Sequence, residues 1–252
     1  MAHAERRTLL AELRERIERV EGRGAKRRRP VLPFGLRDLD RHLPGGGLAL
    51  GSVHEFAGAS PAFEHAAAPI SFIAGILARL PGPVLWCVKR RDLFAPGLAG
   101  AGLDPHRIIY AETHKDAAVL PVVEEALRFS GLAGVVGEVS RLSFDASRRL
   151  QLAAEGSGVT ALLLRRWQAA SEAEIGRPTA AVTRWRIAPL PSAELSCPGV
   201  GRSRWRVDLL RCRGAEPSSF IVDACDEKGR LSVPSDVADR PLAAPGRRAV
   251  AG

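Results

Sequence analysis

Ser52-Val-His-Glu-Phe56-Ala57-Gly58-Ala-Ser-Pro-Ala-Phe63-Glu64-His65 decides how the chain is read. A short strand, Ser52 to Ala57, runs into a glycine-led loop, and an apolar helix of about twenty residues follows from Ala62 to Leu80. Strand, loop, helix is the setting of a phosphate-binding loop. A working loop of that kind reads G-x-x-x-x-G-K-[ST], with glycines for close backbone approach, lysine on the outer phosphates and a hydroxyl on Mg²⁺. Here the last three positions are Phe63, Glu64 and His65. A glutamate in place of the lysine repels phosphate, and neither Phe63 nor His65 replaces the glycine or the hydroxyl. The stretch predicts a nucleotide-binding scaffold without its nucleotide chemistry, with Gly58, Phe63, Glu64 and His65 as the vestigial loop.

The rest of the chain is of a length and composition to build such a scaffold. Its 252 residues suffice for one α/β core with short appendages, and a 46% hydrophobic content fits a globular fold. No apolar run approaches a membrane span and Met1 to Arg7 lacks a secretory h-region, so a cytoplasmic location is expected. Cys87, Cys197, Cys212 and Cys225 form no C-x-x-C pair; they read as small buried hydrophobes, and no metal site or disulfide is expected.

Charge is unevenly placed. The net charge is +9, yet residues 1–29 hold ten Arg/Lys against five Glu, and residues 165–213 hold ten Arg against four acids. These two segments carry all of the excess, and the rest of the chain is slightly acidic. Such a distribution points to an anionic partner, nucleic acid or an acidic protein surface, with solvated Arg-rich faces as the plain alternative.

Along the chain, strands and helices alternate. Pro83 to Val88, Arg107 to Ala111, Leu132 to Val139 and Val159 to Leu164 are short apolar runs of the buried parallel type. Between them fall a helix from Asp116 to Phe129, interrupted near Pro121, and another from Phe144 to Ala154. Strand and helix in alternation predict a mainly parallel sheet with helices on its faces. After Trp167 the pattern changes to three antiparallel strands at one sheet edge, 180–187, 203–213 and 219–224, with a loose loop from Pro189 to Ser203.

Two of these edge strands place a tryptophan between arginines, Arg184-Trp185-Arg186 and Arg204-Trp205-Arg206. Alternation sends the arginines to one face and the indole to the other. With the indoles in the core, the Arg face is left to meet phosphate or a partner; with the indoles exposed, they would stack bases. Arg211 and Arg213 extend the same basic strand. At the other end of the chain, Leu9, Leu13, Ile17 and Val20 form an apolar stripe on a helix from Glu5 to Glu21, joined by the basic linker Gly22 to Pro30. That stripe docks either on its own domain or on another chain. Domain organisation therefore reads as an N-terminal helix and basic linker over 1–29, a core with C-terminal β-hairpins over 30–239, and a disordered tail over 240–252.

The order of elements resembles the RecA-like recombinase core: a helix with Gly35-Leu36-x-x-Leu39-Asp40, a Gly45-Gly46-Gly47 turn, a strand, the loop position and closing hairpins. More closely, Leu43-Pro-Gly-Gly-Gly-Leu48, His54-Glu55-Phe56, Val84-Leu85-Trp86, Gly102-Leu103-Asp104-Pro105-x-Arg107 and Trp205-x-Val207-x-Leu209-x-Arg211-x-Arg213-Gly214 are similar to the ImuA family. These are RecA-related proteins of bacterial damage-inducible mutagenesis cassettes. The resemblance spans roughly residues 31–230 and rests on the order of individually weak motifs.

The resemblance implies a RecA-like fold and places Glu138 at the position of the Mg²⁺-organising acid. It also places Trp86 to Asp92 where RecA-like enzymes carry the water-activating glutamate, with Asp92 the nearest acid. With loop and base both altered, neither ATP, ADP nor Mg²⁺ is expected as a cofactor, and ATP hydrolysis is not expected. Lys89, Arg90 and Arg91 would either approach phosphate from another side or decorate a solvent-facing loop.

For partners, the resemblance implies ImuB, a Y-family polymerase homologue, together with an error-prone replicative-type DNA polymerase. RecA and single-stranded DNA are further candidates, and the setting is the SOS response, with nucleoid association under damage. The alternatives are a divergent DNA-dependent ATPase, a RecA-fold inhibitor of cell division and a plain single-strand DNA binder.

Overall fold

The computed structural model describes residues 29–60, 65–166, 176–192, 199 and 201–234. The amphipathic segment carrying Leu9, Leu13, Ile17 and Val20, the loop residues Phe63 and Glu64, and the tail 240–252 lie outside the described residues.

Runs of β-branched and aliphatic residues form the predicted buried strands. β3 (Val53–Gly58) sits between β7 (Thr160–Arg165) and β8 (Thr183–Leu190), parallel to both. Beyond β7 come β6 (Gly134–Val139), β4 (Val84–Val88) and the edge strand β5 (Ile108–Glu112), all parallel. On the other side β9 (Arg204–Cys212) and β10 (Ser218–Asp223) continue the sheet antiparallel. The order is β10-β9-β8-β3-β7-β6-β4-β5. This is the mainly parallel architecture with antiparallel strands at one edge that the sequence predicts, except that β8, expected as the first antiparallel strand, runs parallel to β3 and antiparallel to β9. A separate pair, β1 (Val31–Leu32) and β2 (Leu48–Ala49), encloses the one-turn helix α1 (Arg37–Asp40) and the glycine-rich turn, and is not evident from the sequence pattern.

Strand alternation divides the core into two layers. Phe56, Trp86, Trp185 and Trp205 face α2 (Ala67–Ala78) on one side, while Val53, Cys87, Val135 and Leu163 face α4 (Asp116–Leu127) and α5 (Phe144–Ser157) on the other. The 12 residues of α2 include no charged side chain, as a helix enclosed on most sides requires. It is shorter than the span from Ala62 to Leu80 suggests. Its outer side meets the segment after β10, where Gly75 lets Cys225 approach the helix backbone.

Pro121 does not interrupt α4. Val119, Val123 and Leu127, at helical spacing, are all fully buried and hold the helix through the missing N–H. α5 starts at a cap in which Ser143 Oγ accepts from Ala146 N at 3.2 Å, and it ends at Gly158 with φ of 81°. A short helix, α3 (Ala95–Gly100), and a 3₁₀ turn over Pro105–Arg107 lie between β4 and β5 and have no clear periodic signal. β8 continues through Pro189 to Leu190, beyond the loop start that Pro189 suggests. Among the described residues no helix is long and apolar enough to cross a membrane, and no cluster of metal-ligating side chains occurs.

Candidate functional site

The carboxyl ends of the parallel strands form the place where open α/β sheets bind ligands. Gly58 ends β3 there, and a Cβ at this position would meet the carbonyl oxygen of His65 at 2.5 Å. The two ends of the loop are therefore drawn together, and only glycine permits it. α2 then starts without a side-chain cap at Ala66. A phosphate-binding helix presents its first-turn N–H groups to the anion. In α2 one of these is missing, because Pro69 occupies the first turn.

Glu138, near the end of β6, is 1% exposed. Arg166, just past β7, donates to both of its oxygens, from Nη2 to Oε1 at 3.0 Å and from Nε to Oε2 at 3.2 Å. The indole Nε1 of Trp86 adds a contact to Oε1 at 3.4 Å. The same guanidinium binds Asp92 through Nη1 and Nη2 at 3.2 and 2.9 Å. Burial works against the Arg166 charge, but the hydrogen bonds and charges of Glu138 and Asp92 outweigh it and raise its pKa above the usual arginine value. The acid at the metal-organising position and the nearest candidate base are thus bridged by one fixed cation. Neither Glu138 oxygen is open to a hydrated Mg²⁺ unless Arg166 moves, so the donor set does not fit a magnesium nucleotide.

Arg166 carries no motif of its own in the sequence; the only signal is a doubled arginine at the end of an apolar strand. Of the neighbouring cations, Lys89 pairs with Asp116, and Arg91 binds Glu112 through Nε and Nη2 at 3.0 and 2.9 Å. Both are thereby directed to α4 and β5.

A second ionic group lies on the α5 face of the sheet. Glu55, in the middle of β3, is fully buried; Arg165 Nη1 reaches its Oε2 at 2.6 Å, Arg184 Nη2 reaches Oε1 at 3.1 Å, and Thr179 Oγ1 donates to Oε1. Arg184 also donates to the Arg177 carbonyl at 2.8 Å. Arg184 is consequently only 7% exposed and does not stand on an open basic face, as strand alternation alone suggests. A buried carboxylate stripped of such partners costs about 3–5 kcal/mol, so the group locks β7, β3 and β8 together.

The remaining edge residues divide by face. Trp185 and Trp205 are in the core, both packed around Phe72, and neither presents a ring for base stacking. Arg204 meets Asp223 at 3.5 Å, and Arg206, half exposed, meets Asp208 at 3.4 Å. Arg211 would share the core face of Leu209 in a regular strand. A bulge opposite Arg184/Trp185 turns it to the Glu55 face, where it donates to the carbonyls of Thr179 and Ala181 at 2.8 and 3.2 Å. Burial, followed by the charges of Arg184 and Arg213, lowers the Arg211 pKa. Arg213 donates to the carbonyl of Ala180 at 3.0 Å, whereas the buried Nε of Arg186 has no hydrogen-bond partner among the described residues.

His54 carries no site signal in the sequence, yet it is the most strongly shifted histidine. Its Nε2 lies 2.7 Å from the carbonyl of Ala49 and so carries the proton, leaving Nδ1 to accept from Thr183 Oγ1 at 2.7 Å. Thr183 in turn accepts from Trp185 Nε1 at 2.6 Å.

An eight-stranded, mainly parallel sheet with a loop and helix after its central strand, and acids at the neighbouring strand ends, defines a protein of RecA-like fold. The crystal structure of the RadB recombinase superposes with a TM-score of 0.57 at 16% identity, covering 81% of this chain and 100% of that one. Protein ImuA of Caulobacter vibrioides, in strains NA1000 / CB15N and ATCC 19089 / CIP 103742 / CB 15, is 40% identical over 234 residues, covering 88% of this chain and 96% of the relative. The chain belongs to the ImuA family. No protein-family model matches it.

Proposed function

We propose that the protein is a non-catalytic RecA-fold subunit of an error-prone translesion synthesis complex of the SOS response, with ImuB as its direct partner and a replicative-type polymerase in the same assembly. The observation that carries this reading is Arg166, which occupies both oxygens of Glu138 and both of Asp92. Nucleotide hydrolysis in this fold depends on positioned metal and phosphate-facing cations. A guanidinium tied down by two carboxylates supplies structural charge balance instead. Family membership supports the cellular setting, and the loop lacking lysine supports the loss of turnover. The protein acts in the cytoplasm, at the nucleoid after damage, by contacts with other proteins. RecA is a further partner, engaged through the segment 1–29.

Two assays test this. Purified protein is examined for ATP binding and hydrolysis with and without single-stranded DNA, and the full-length chain is used to capture purified ImuB. Capture without turnover is the expected result. DNA-stimulated turnover, or failure to bind ImuB, would overturn the reading. Deleting residues 1–29 is expected to abolish capture of ImuB or RecA.

A further inference from the structure

The Nε of Arg186, on the sheet edge, is buried and finds no hydrogen-bond partner among the described residues. Arg186 stands opposite Ala57 of β3, which has Arg165 of β7 on its other side. Ala57 offers only a methyl group between two guanidinium side chains, at the carboxyl end of the central strand and one residue before Gly58. One layer below, Glu55 is flanked by Arg184, and its two oxygens are already taken by Arg165, Arg184 and Thr179. Arg211 and Arg213 close the group from β9 and its end, and their hydrogen bonds to described residues go to carbonyl oxygens. Asp208 lies across the ladder from Arg186, but its oxygens go to Ser219 at 2.6 Å and Arg206 at 3.4 Å.

Among the described residues, Glu55 is the carboxylate paired with Arg165 and Arg184 in this group, and the charge of Glu155 reaches Arg213. Nε of Arg165, of Arg184 and of Arg186 is buried, with no acceptor among the described residues. Buried donors without acceptors cost free energy, and clustered like charges repel. Guanidinium groups converging from neighbouring strands suit the tetrahedral oxygens of phosphate better than a point cation does.

We propose that Arg186, backed by Arg165 and Arg184, forms a phosphate-binding site on the face of β3 opposite α2. The phosphate contact of the scaffold is thus displaced from the loop that lost its lysine to the other side of the same strand. The group bound is a phosphate oxyanion, either a free phosphate or a phosphodiester of a nucleic-acid strand. With Trp185 and Trp205 in the core, recognition is electrostatic and indifferent to base sequence. This inference does not depend on the partner assigned above.

The test uses the full-length chain, titrated at constant ionic strength with inorganic phosphate and, separately, with a labelled single-stranded oligonucleotide. Thermal midpoint and anisotropy are read for the wild type, Arg186→Ala, Arg186→Lys and the remote control Arg41→Ala. Phosphate or oligonucleotide is expected to bind the wild type and Arg41→Ala alike. Arg186→Ala is expected to weaken binding about tenfold or more, with Arg186→Lys between. Without ligand, Arg186→Ala should melt at or above the wild-type temperature, because it removes a buried Nε donor that has no acceptor among the described residues. A midpoint raised by phosphate identifies a small ligand, whereas binding confined to the oligonucleotide identifies a nucleic-acid strand. Equal affinity in Arg186→Ala, no binding of either probe by the wild type, or an unliganded Arg186→Ala that melts several degrees lower would each overturn the proposal.

Discussion

Arg166 donates to both carboxylate oxygens of Glu138, at 3.0 and 3.2 Å, from a position one residue beyond β7. Glu138 is almost fully buried, so its charge depends on this partner. Arg166→Met leaves a buried carboxylate that, among the described residues, only Trp86 still contacts, and is expected to cost about 2–4 kcal/mol. Glu138→Gln/Arg166→Met removes both charges and should recover a large part of that loss. The check is a double-mutant cycle by urea denaturation; single and double variants whose costs simply add would show that the pair is not coupled.

The main architecture was legible because each buried parallel strand is a short apolar run bounded by turn residues, as in Val84–Val88 and Thr160–Arg165. The tryptophans of β8 and β9 were legible as one face of alternating strands. What alternation cannot report is where its phase slips. A single extra residue in β9 moves Arg211 off the face of Leu209, and that bulge is a property of the paired ladder. The Glu55 group was hidden for a different reason. Its partners lie 110 and 129 residues away in sequence, so each side chain alone reads as an ordinary charge in an apolar strand. Arg166 was hidden in the same way, 28 residues from Glu138 and 74 from Asp92.

Two helical glycines should respond oppositely to alanine. Gly75 lies inside α2, and a Cβ there would overlap Cys225 Sγ and lie 3.3 Å from the carbonyl of Gly229. Gly156 lies in α5, and a Cβ there would meet nothing within 4 Å. Gly156→Ala is therefore expected to stabilise by roughly 0.5–1 kcal/mol through helix propensity. Gly75→Ala should destabilise by about 1–3 kcal/mol through overpacking. Adding Cys225→Ala to Gly75→Ala should return part of the loss. Thermal denaturation of the wild type and these three variants decides it, and a stabilised Gly75→Ala would contradict the close packing of the segment after β10 on α2.

Arg107 closes the C-terminus of α2 from a distance. Its Nε donates to the Gly82 carbonyl at 2.9 Å, Nη1 to Ala78 at 3.4 Å and Nη2 to Leu77 at 3.3 Å, with a further bond from Nη2 to Leu80. A cation at this end also complements the helix dipole. Arg107→Met should lower stability by about 1–3 kcal/mol, and Arg107→Lys should restore less than half, since an ammonium lacks the planar fork. Amide exchange supplies the local readout: faster exchange confined to the last turn of α2 and the turn after it is expected. Uniformly faster exchange would indicate a different role.

His54 makes the fold sensitive to mild acid. Burial, the larger influence, pushes its pKa down from 6.5 to about 4, against the opposing effect of the hydrogen bond to Ala49. The folded protein therefore holds neutral imidazole, and the unfolded chain binds the proton first. The resulting stability is fully present above about pH 6.5 and is lost as pH falls towards 4, amounting to about 3 kcal/mol. Protonating Nδ1 would also set an N–H against the hydroxyl proton that Thr183 now donates, forcing Thr183 to turn away while still accepting from Trp185. His54→Gln, which cannot titrate, should flatten this part of the profile even if its stability at pH 7.5 is lower. The measurement is the urea midpoint of both proteins from pH 7.5 to 4. Curves that stay parallel between pH 6.5 and 4 would show that His54 is not the group responsible.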